Sequence, residues 1–275
     1  MRLRLITRLL LTAAATAALT LAGPAAPASA SGLDAPPAGA NDWSCKPDRD
    51  HPEPVVLVNG TFKLMRENWA VLSPVLKRSG YCVFAFNYGH AATRPIADSA
   101  AELRDFVAAV RAATGAAKVD IVGHSQGGMM PRYYVKFLGG AAQVDDLVGI
   151  VPSNHGTANP LALAAGVLLC PSCLDQRTGS DLLSRLNAGP EAPAGPDYTV
   201  ITTRYDEVVI PYTSAFLSGP ADRVTNAVLQ DRCPLDLFMH DQATKDPNVA
   251  QWVLDALGRQ GPADPGFQPR CLSLG

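Results

Sequence analysis

The sequence has almost no excess of charge of either sign and no long apolar run beyond its first segment. It contains 23 basic and 25 acidic residues in 275, so it lacks the surplus of Lys and Arg on which nucleic-acid binding depends. After residue 22, no apolar stretch approaches the ~20 residues that cross a bilayer as a helix. These absences argue against a nucleic-acid-binding protein and against an integral membrane protein.

The N-terminal segment has the pattern of a secretory signal peptide. Three arginines and no acidic residue occur in residues 1–30, where the apolar run 9–22 leads to Ala28-Ser29-Ala30. A transmembrane anchor is the alternative, but the run is short and rich in alanine. Removing these 30 residues leaves 245, with 20 basic and 25 acidic side chains. We therefore expect a secreted, extracellular, mildly acidic chain that acts as a monomer, with the length of one α/β domain.

The six cysteines predict disulfides, because exported proteins keep their thiols oxidised. Six cysteines allow 15 pairings; we predict Cys45–Cys82, Cys170–Cys173 and Cys233–Cys271. The spacing Cys170-Pro-Ser-Cys173 is also that of a redox or metal pair. However, the chain lacks a second pair at zinc spacing, and no histidine lies beside this one.

Strand and helix patterns alternate along the rest of the chain. Residues 31–53 are rich in Pro, Gly and Asp without periodicity and predict an N-terminal arm, followed by one domain over 54–275. Predicted strands cover 55–58, 81–86, 118–122, 146–151, 198–203 and 224–230, and predicted helices cover 68–80, 95–114, 126–138 and 248–257. This rhythm predicts a mostly parallel sheet with helices on both faces.

Residues 156–197 interrupt the alternation. An apolar run, the Cys170/Cys173 loop and a Pro- and Gly-rich stretch follow one another, as in a cap or lid insertion. An ordinary crossover helix packed on the sheet is the alternative for part of it, because buried helices are often apolar all round.

The segment "VDIVGHSQGG", residues 119–128, contains the pattern G-x-S-x-G between a predicted strand and a predicted helix. In that context the pattern is typical of a nucleophile elbow, a strained turn that displays Ser125. The alternative is that Ser125 only caps the next helix. Met129 and Met130, just behind the turn, fit the core better than a substrate site.

A serine nucleophile needs a base, and that base needs an acid to orient it. Two histidines follow Ser125, and we favour His240 over His155 because in this fold the order is serine, acid, histidine. We predict Asp206 as the acid, with Glu207 as the runner-up. Other acids on late loops are open alternatives: Asp222, Asp231 and Asp236. Asp241 is next to His240 in sequence, which gives it no special claim to the imidazole.

Two backbone N–H groups must also meet the oxyanion of the tetrahedral intermediate. We predict Gln126 for one of them, since it follows the nucleophile, and Thr61 for the other, since "NGTF" follows the first strand. Thr61 also offers its hydroxyl, and Phe62 is a weaker candidate donor.

Six segments together resemble the secreted actinobacterial lipases and esterases of the α/β-hydrolase superfamily, of the class 2 type. They are "VVLVNGTF", "NWAVLSPVLKRSGYCVFAFNYG", "VDIVGHSQGGMMPRYY", "VPSNHGT", "TRYDEVVIP" and "QDRCPLDLFMH". The resemblance runs from about residue 54 to residue 257 and implies the same Ser125, Asp206, His240, Thr61 and Gln126. One departure is Asn59, where many such enzymes have histidine.

The resemblance implies hydrolysis of carboxylic esters through an acyl-enzyme on Ser125, with no metal or organic cofactor. The expected partner is a lipid or other hydrophobic ester, with transient contact with a lipid surface. A short-chain esterase or polyester depolymerase and an acyltransferase are alternatives with the same machinery. A non-catalytic binding protein on the same scaffold is a further one.

Overall fold

The computed structural model describes residues 32–160 and 169–271. The predicted signal peptide, residues 1–30, lies outside the described residues. The described residues form a six-stranded sheet in the order β2-β1-β3-β4-β5-β6, in which every pair of neighbours is parallel.

The strands are β1 (Val55–Val58), β2 (Val83–Ala85), β3 (Val119–His124), β4 (Val144–Ile150), β5 (Asp197–Thr202) and β6 (Val224–Val228). The helices with described bounds are α1 (Met65–Asn68), α2 (Leu72–Arg78), α3 (Gly89–Ala92), α4 (Ile96–Thr114), α5 (Gln126–Phe137), α6 (Pro171–Asp175), α7 (Asp181–Asn187), α8 (Leu229–Arg232) and α9 (Pro247–Leu257). Short 3₁₀ turns cover Gly32–Asp34, Gly140–Ala142, Tyr212–Ala215 and His240–Lys245.

The sheet is buried on both faces, which explains why its strands are nearly continuous runs of apolar residues. One core cluster joins one face of the sheet to α4, α5 and α7. A second cluster joins the opposite face to α2 and α9. The predicted parallel α/β architecture with helices on both faces is therefore confirmed. Met129 and Met130 are fully buried in the first cluster, as expected of core residues.

Several predicted boundaries differ from the structure, and two of them have a local cause. The helix predicted over 68–80 is shorter and begins later, as α2 (Leu72–Arg78); α1 (Met65–Asn68) is a separate short helix before it. Pro74 lies in the first turn of α2; a continuous helix would need the N–H that proline lacks, so the helix begins anew at Leu72. The strand predicted over 224–230 ends at Val228, and the chain turns directly into α8.

The N-terminal arm protects the edge of the sheet. The amide of Asn41 pairs with both backbone groups of Ala85, at 2.8 Å each, and so satisfies part of the edge strand β2. The Cys45–Cys82 disulfide fixes the same arm beside β2. The other two predicted pairs are also bonded, Cys170–Cys173 and Cys233–Cys271, so all three predicted pairings are confirmed.

The insertion is only partly described, because most of its apolar run lies outside the described residues. Its second half contains α6 and α7, and α7 buries Leu182, Leu183 and Leu186 in the core. This part of the insertion is therefore a helix packed on the main body. None of the helices within residues 32–160 and 169–271 is long and apolar enough to cross a membrane.

Candidate active site

Ser125 forms a sharp turn between β3 and α5. Its backbone has φ of +55° and ψ of −122°, a conformation that costs on the order of 1–3 kcal/mol. A Cβ atom on Gly123 would lie 1.8 Å from the carbonyl oxygen of Gly127, and one on Gly127 would lie 2.1 Å from that of Val58. Both glycines are therefore steric requirements of the turn. The Ser125 side chain makes no capping hydrogen bond to α5, so the helix-capping alternative is wrong.

The hydroxyl of Ser125 lies against the imidazole of His240. The distance from Ser125 Oγ to His240 Nε2 is 2.9 Å. The other ring nitrogen, Nδ1, is 2.9 Å from both carboxylate oxygens of Asp206. A carboxylate can only accept, so Nδ1 carries the proton and Nε2 is left to accept the serine proton. The structure thus brings together all three residues predicted as nucleophile, base and acid.

The loop after β5 fixes the Asp206 carboxylate, whose side chain is fully buried. Its Oδ1 accepts the backbone N–H groups of Val208 and Val209 at 2.9 and 2.7 Å. The runner-up acid, Glu207, has a different partner: its Oε2 accepts the backbone N–H of His240 at 3.1 Å. Asp206 therefore orients the imidazole, whereas Glu207 holds the backbone of the same histidine.

A second histidine, His124, lies beneath the first. Its Nε2 is 3.1 Å from the backbone carbonyl of His240, and its Nδ1 is 3.1 Å from Asn68 Oδ1. The ring is fully buried, and burial lowers the pKa of His124 to about 3, with the nearby His240 ring acting in the same direction. A neutral His124 carries one N–H and so donates to only one of these two oxygens, and its buried ring supports the loop that carries His240.

The two predicted oxyanion donors are Thr61, on the loop after β1, and Gln126, the first residue of α5. Within the described residues, neither the backbone N–H of Thr61 nor that of Gln126 has a hydrogen-bond acceptor, which leaves both to a ligand. The N–H of Phe62 is used by the carbonyl of Ala91 at 2.8 Å. The Thr61 hydroxyl donates to Gln126 Oε1 at 2.7 Å, so its proton is directed at that side chain.

Close packing and side-chain amides hold this loop against the serine turn. A Cβ on Gly60 would lie 2.9 Å from the His124 ring and 3.1 Å from Ser125 Cβ. Asn68 Oδ1 accepts the Gly60 N–H at 3.2 Å. Asn59, the departure from the family pattern, is fully buried and donates to the Lys63 carbonyl at 2.6 Å. Asn59 thus closes the loop on itself.

A pocket of about 270 Å³ opens onto Ser125 and His240. Its walls include the apolar side chains of Phe62, Val208 and Val209. Phe62 is 58% exposed at the rim. Further exposed apolar side chains lie on the two loops that carry the acid and the histidine: Tyr205, Ile210, Leu235, Leu237 and Met239.

Two side chains connect the insertion to this site. Gln176, which follows α6, contacts Thr61 and Gln126 through its amide. Arg132 on α5 is completely buried and donates to Asn154 Oδ1 at 3.2 Å, Asn187 Oδ1 at 2.7 Å and the Glu191 carbonyl at 2.9 Å. Burial lowers the pKa of Arg132 to about 10, so it remains charged at neutral pH, and its nearest acceptors are amide and carbonyl oxygens.

The alternative candidates have other partners. His155 contacts the Ser214 carbonyl and Glu191, both at 3.0 Å. Asp231 pairs with Arg204, Asp236 accepts from Asn248 at 2.9 Å, and Asp241 pairs with Lys63 at 3.1 Å. None of these carboxylates is hydrogen-bonded to the His240 ring.

An acidic cluster lies at the opposite end of the strands. Carboxylate oxygens of Asp120, Asp145 and Asp146 lie within 4.8 Å of one another. Burial, together with the neighbouring acids, raises the pKa of Asp146 to about 10, and Lys118 pairs with Asp145 at 2.7 Å. A neutral Asp146 and the lysine offset the repulsion, so the cluster is accommodated without any role in the pocket.

Sequence reasoning did not find Asn68, His124, Gln176 or the contact of Glu207. His124 stands inside the recognised motif, and its position in a buried strand was the available signal. Asn68 and Gln176 lie on α1 and after α6, where no local pattern distinguishes them from surface amides.

Comparison with known proteins supports the resemblance inferred from the sequence. A family model for lipase (class 2) matches residues 52–253. The solved structure of lipase B from Aspergillus fumigatus aligns with a TM-score of 0.73 at 23% identity, covering 84% of this chain and 57% of that one. Mature Bacillus licheniformis lipase BlEst2 aligns with a TM-score of 0.60 at 14% identity, covering 77% and 94%.

A monoacylglycerol lipase from Paleococcus ferrophilus aligns with a TM-score of 0.55 at 16% identity, covering 78% of this chain and 95% of that one. At such identities the structural matches establish the fold, and they confirm the predicted α/β-hydrolase architecture. The aligned region spans little more than half of the Aspergillus protein. The family match, in contrast, covers most of this chain and includes the serine turn and both loops that meet it; the chain belongs to the class 2 lipase family.

Proposed function

We propose that the protein is a serine hydrolase that cleaves carboxylic esters of hydrophobic substrates. The observation that carries the proposal is the hydrogen-bonded chain Ser125–His240–Asp206, with each contact at 2.9 Å. Membership of the class 2 lipase family points to the same reaction. The two backbone N–H groups left without acceptors supply what such a reaction needs beside the nucleophile.

In the first half of the proposed reaction, Ser125 Oγ attacks the ester carbonyl carbon while His240 Nε2 takes the hydroxyl proton. Asp206 stabilises the imidazolium that forms. The carbonyl oxygen becomes an oxyanion, which accepts from the N–H groups of Thr61 and Gln126. The C–O bond of the ester then breaks, and His240 returns the proton to the departing alcohol.

In the second half, water attacks the acyl-enzyme carbonyl, and His240 Nε2 takes a proton from that water. A second oxyanion forms on the same two N–H groups. Its collapse breaks the bond to Ser125 Oγ, which recovers its proton from His240, and the carboxylic acid is released. Every proton passes through His240, and no residue outside the described contacts is required.

The walls of the pocket support a hydrophobic substrate. Phe62, Val208 and Val209 line it, and the loops that carry the acid and the histidine expose further apolar side chains. We propose a lipid ester as substrate and a transient contact with a lipid surface. The disulfides and the N-terminal sequence pattern support export of a chain comprising the arm 31–53 and the domain 54–275.

The direct test is Ser125→Ala in the purified mature protein, assayed on p-nitrophenyl esters from acetate to palmitate. We expect a loss of at least about 10⁴-fold in kcat, as for removal of a nucleophile elsewhere. The variant should unfold at the same temperature as the wild type or higher, since alanine fits the same turn. Retained hydrolysis by Ser125→Ala would overturn the proposal. A maximum at acetate with no response to an oil surface would instead identify a short-chain esterase.

A further inference from the structure

The short helix α6 of the insertion contacts the end of α3 and the start of α4. Ser172 Oγ donates to the Ala92 carbonyl at 2.7 Å, and the Ser172 N–H donates to the Thr93 carbonyl at 3.1 Å. From the same helix, Asp175 Oδ2 accepts the first N–H of α4, that of Ile96, at 2.9 Å. The Cys170–Cys173 disulfide closes the turn at its start. The residue that follows α6 therefore has a fixed position relative to the sheet.

That residue is Gln176, which is 8% exposed and lines the pocket. Its Nε2 lies 3.1 Å from Thr61 Oγ1, 2.9 Å from Gln126 Oε1 and 3.2 Å from the Ser172 carbonyl. Its Oε1 accepts the Ser153 hydroxyl at 2.8 Å. The Ser172 carbonyl can only accept, so the amide turns Nε2 toward it and Oε1 toward the Ser153 hydroxyl; the two Nε2 protons are shared among the three acceptors.

The donors and acceptors of this network can be counted. The Thr61 hydroxyl gives its proton to Gln126 Oε1, so Thr61 Oγ1 presents a lone pair to Gln176 Nε2. Gln126 Oε1 accepts from both Thr61 and Gln176. One amide of the insertion thus ties together the side chains of the two residues whose backbone N–H groups face the pocket.

The loop that carries Thr61 needs such a restraint. The next residue, Phe62, has φ of +61°, a left-handed conformation that is costly for a bulky side chain and persists only where the surroundings enforce it. Oxyanion stabilisation in turn depends on donors fixed before the reaction starts, because reorganisation during the reaction would cost most of the gain.

We propose that Gln176 is a positioning residue that sets the placement of the Thr61 and Gln126 N–H groups, so that ester hydrolysis depends on a docked insertion. The inference rests on the proposed function and extends it to a residue outside the serine, histidine and acid set. Gln176 acts through Thr61 and Gln126 and need not touch the substrate.

The test compares Gln176→Met, which removes the hydrogen bonds at similar side-chain length, with Gln176→Glu, which puts an acceptor where Nε2 now donates. We expect kcat for p-nitrophenyl butyrate to fall about 10- to 100-fold in Gln176→Met, since small misplacement of reacting groups has effects of this size. The loss should be larger in Gln176→Glu, whose charge opposes the oxyanion. KM should change less than about threefold, because the substrate pocket is retained.

A second measurement separates positioning from loosened structure. The affinity for an alkyl boronic acid, which forms a tetrahedral adduct on the serine, should fall in parallel with kcat/KM. The matched control is Leu186→Ala, which removes buried apolar packing from α7 in the same insertion but no hydrogen bond to α6, Thr61 or Gln126. It should retain wild-type kcat and boronic acid affinity even if its melting temperature falls.

The outcomes distinguish the two proposals. If the wild type hydrolyses the ester, Ser125→Ala does not, and both Gln176 variants remain within twofold of wild-type kcat, the role of Gln176 is wrong and the proposed function stands. Equal losses in Gln176→Met and Leu186→Ala would also overturn the positioning role. If the wild type shows no hydrolysis or Ser125→Ala retains it, the proposed function itself fails.

Discussion

Replacement of the buried His124 by glutamine should reduce the loss of stability on mild acidification. Burial lowers the pKa of His124 to about 3 from an ordinary value of 6.5. Between pH 7 and pH 5 the unfolded chain therefore takes up nearly one proton at this residue, and the folded protein takes up almost none. The free energy of unfolding falls wherever the unfolded state binds more protons as the pH is lowered.

The size of the effect follows from these two pKa values. The loss in free energy of unfolding that His124 causes is negligible well above pH 6.5, grows by about 1.4 kcal/mol per pH unit below it, and levels off near pH 3. Between pH 7 and pH 5 it amounts to about 2 kcal/mol of lost stability. Glutamine does not titrate, so His124→Gln should lose about 2 kcal/mol less than the wild type over this interval, whatever its stability at pH 7.

The measurement is urea-induced unfolding of both oxidised proteins at pH 7 and pH 5, monitored by tryptophan fluorescence. Buried acids such as Asp146 are present in both proteins, so their contributions cancel in the comparison. The matched control is His90→Gln, which removes an exposed histidine and leaves the buried ring in place. An equal loss of stability in the wild type and His124→Gln would show that His124 can be protonated inside the fold, and would refute the reasoning.

Three further predictions concern the turn, the acid and the disulfides. In Gly127→Ala the new Cβ would lie 2.1 Å from the Val58 carbonyl oxygen, so the free energy of unfolding in urea should fall by about 1–3 kcal/mol and kcat by about 100-fold. The control Gly266→Ala, with its nearest contact at 3.2 Å, should change neither quantity. A fully active Gly127→Ala would contradict the steric requirement. Asp206→Asn should lower kcat about 10⁴-fold, because the amide no longer orients the imidazole. Glu207→Gln keeps an oxygen for the backbone N–H of His240 and should lower kcat less than about tenfold. Equal losses of kcat in the two variants would leave the acid unassigned. Replacing Cys45 and Cys82 by serine opens a loop with a sequence separation of 37 and should lower the free energy of unfolding by about 4 kcal/mol. Replacing Cys170 and Cys173, with a separation of 3, should lower it by about 2 kcal/mol. Urea unfolding of both double variants measures the difference, and the reverse order would count against a loop-entropy origin.

Local patterns were sufficient to predict the elements that place the serine. The strand at 55–58 and the helix that ends before Gly115 agree with the structure because each is marked by periodicity and by a clear stop signal. At Gly115 that signal is a residue with φ of +82°, which glycine adopts without strain. The turn at Ser125 is also marked in the sequence, since Gly123 and Gly127, two residues before and after the serine, are positions that tolerate only glycine.

The helix predicted over 68–80 shows where periodicity misleads. Apolar residues recur at helical spacing across the whole stretch, but Pro74 lacks an N–H and fits only the first turn of a helix, so α2 begins at Leu72 and the preceding residues 69–71 form a turn. The end of β6 is a similar case, because the apolar residue Leu229 fits a strand or a helical turn equally well.

The supports of the site could not be predicted, because their partners are distant in sequence. Gln176 meets residues 50 and 115 positions away, and His124 meets the backbone of a residue 116 positions away. A single sequence contains no record of such contacts. Residue type could suggest a nucleophile, a base and an acid, but it could not indicate which amides hold them in place.

Arg132 limits how freely the insertion can be exchanged for that of another family member. Its charge is buried, and two of its partners, Asn187 Oδ1 and the Glu191 carbonyl, belong to the insertion itself. A graft that lacked these oxygens would leave a buried cation with too few acceptors on α5, the helix that begins at the serine turn, at a cost of several kcal/mol. Exchange of the insertion therefore requires that the graft carry equivalent acceptors, or that Arg132 be replaced by an apolar residue in the same step.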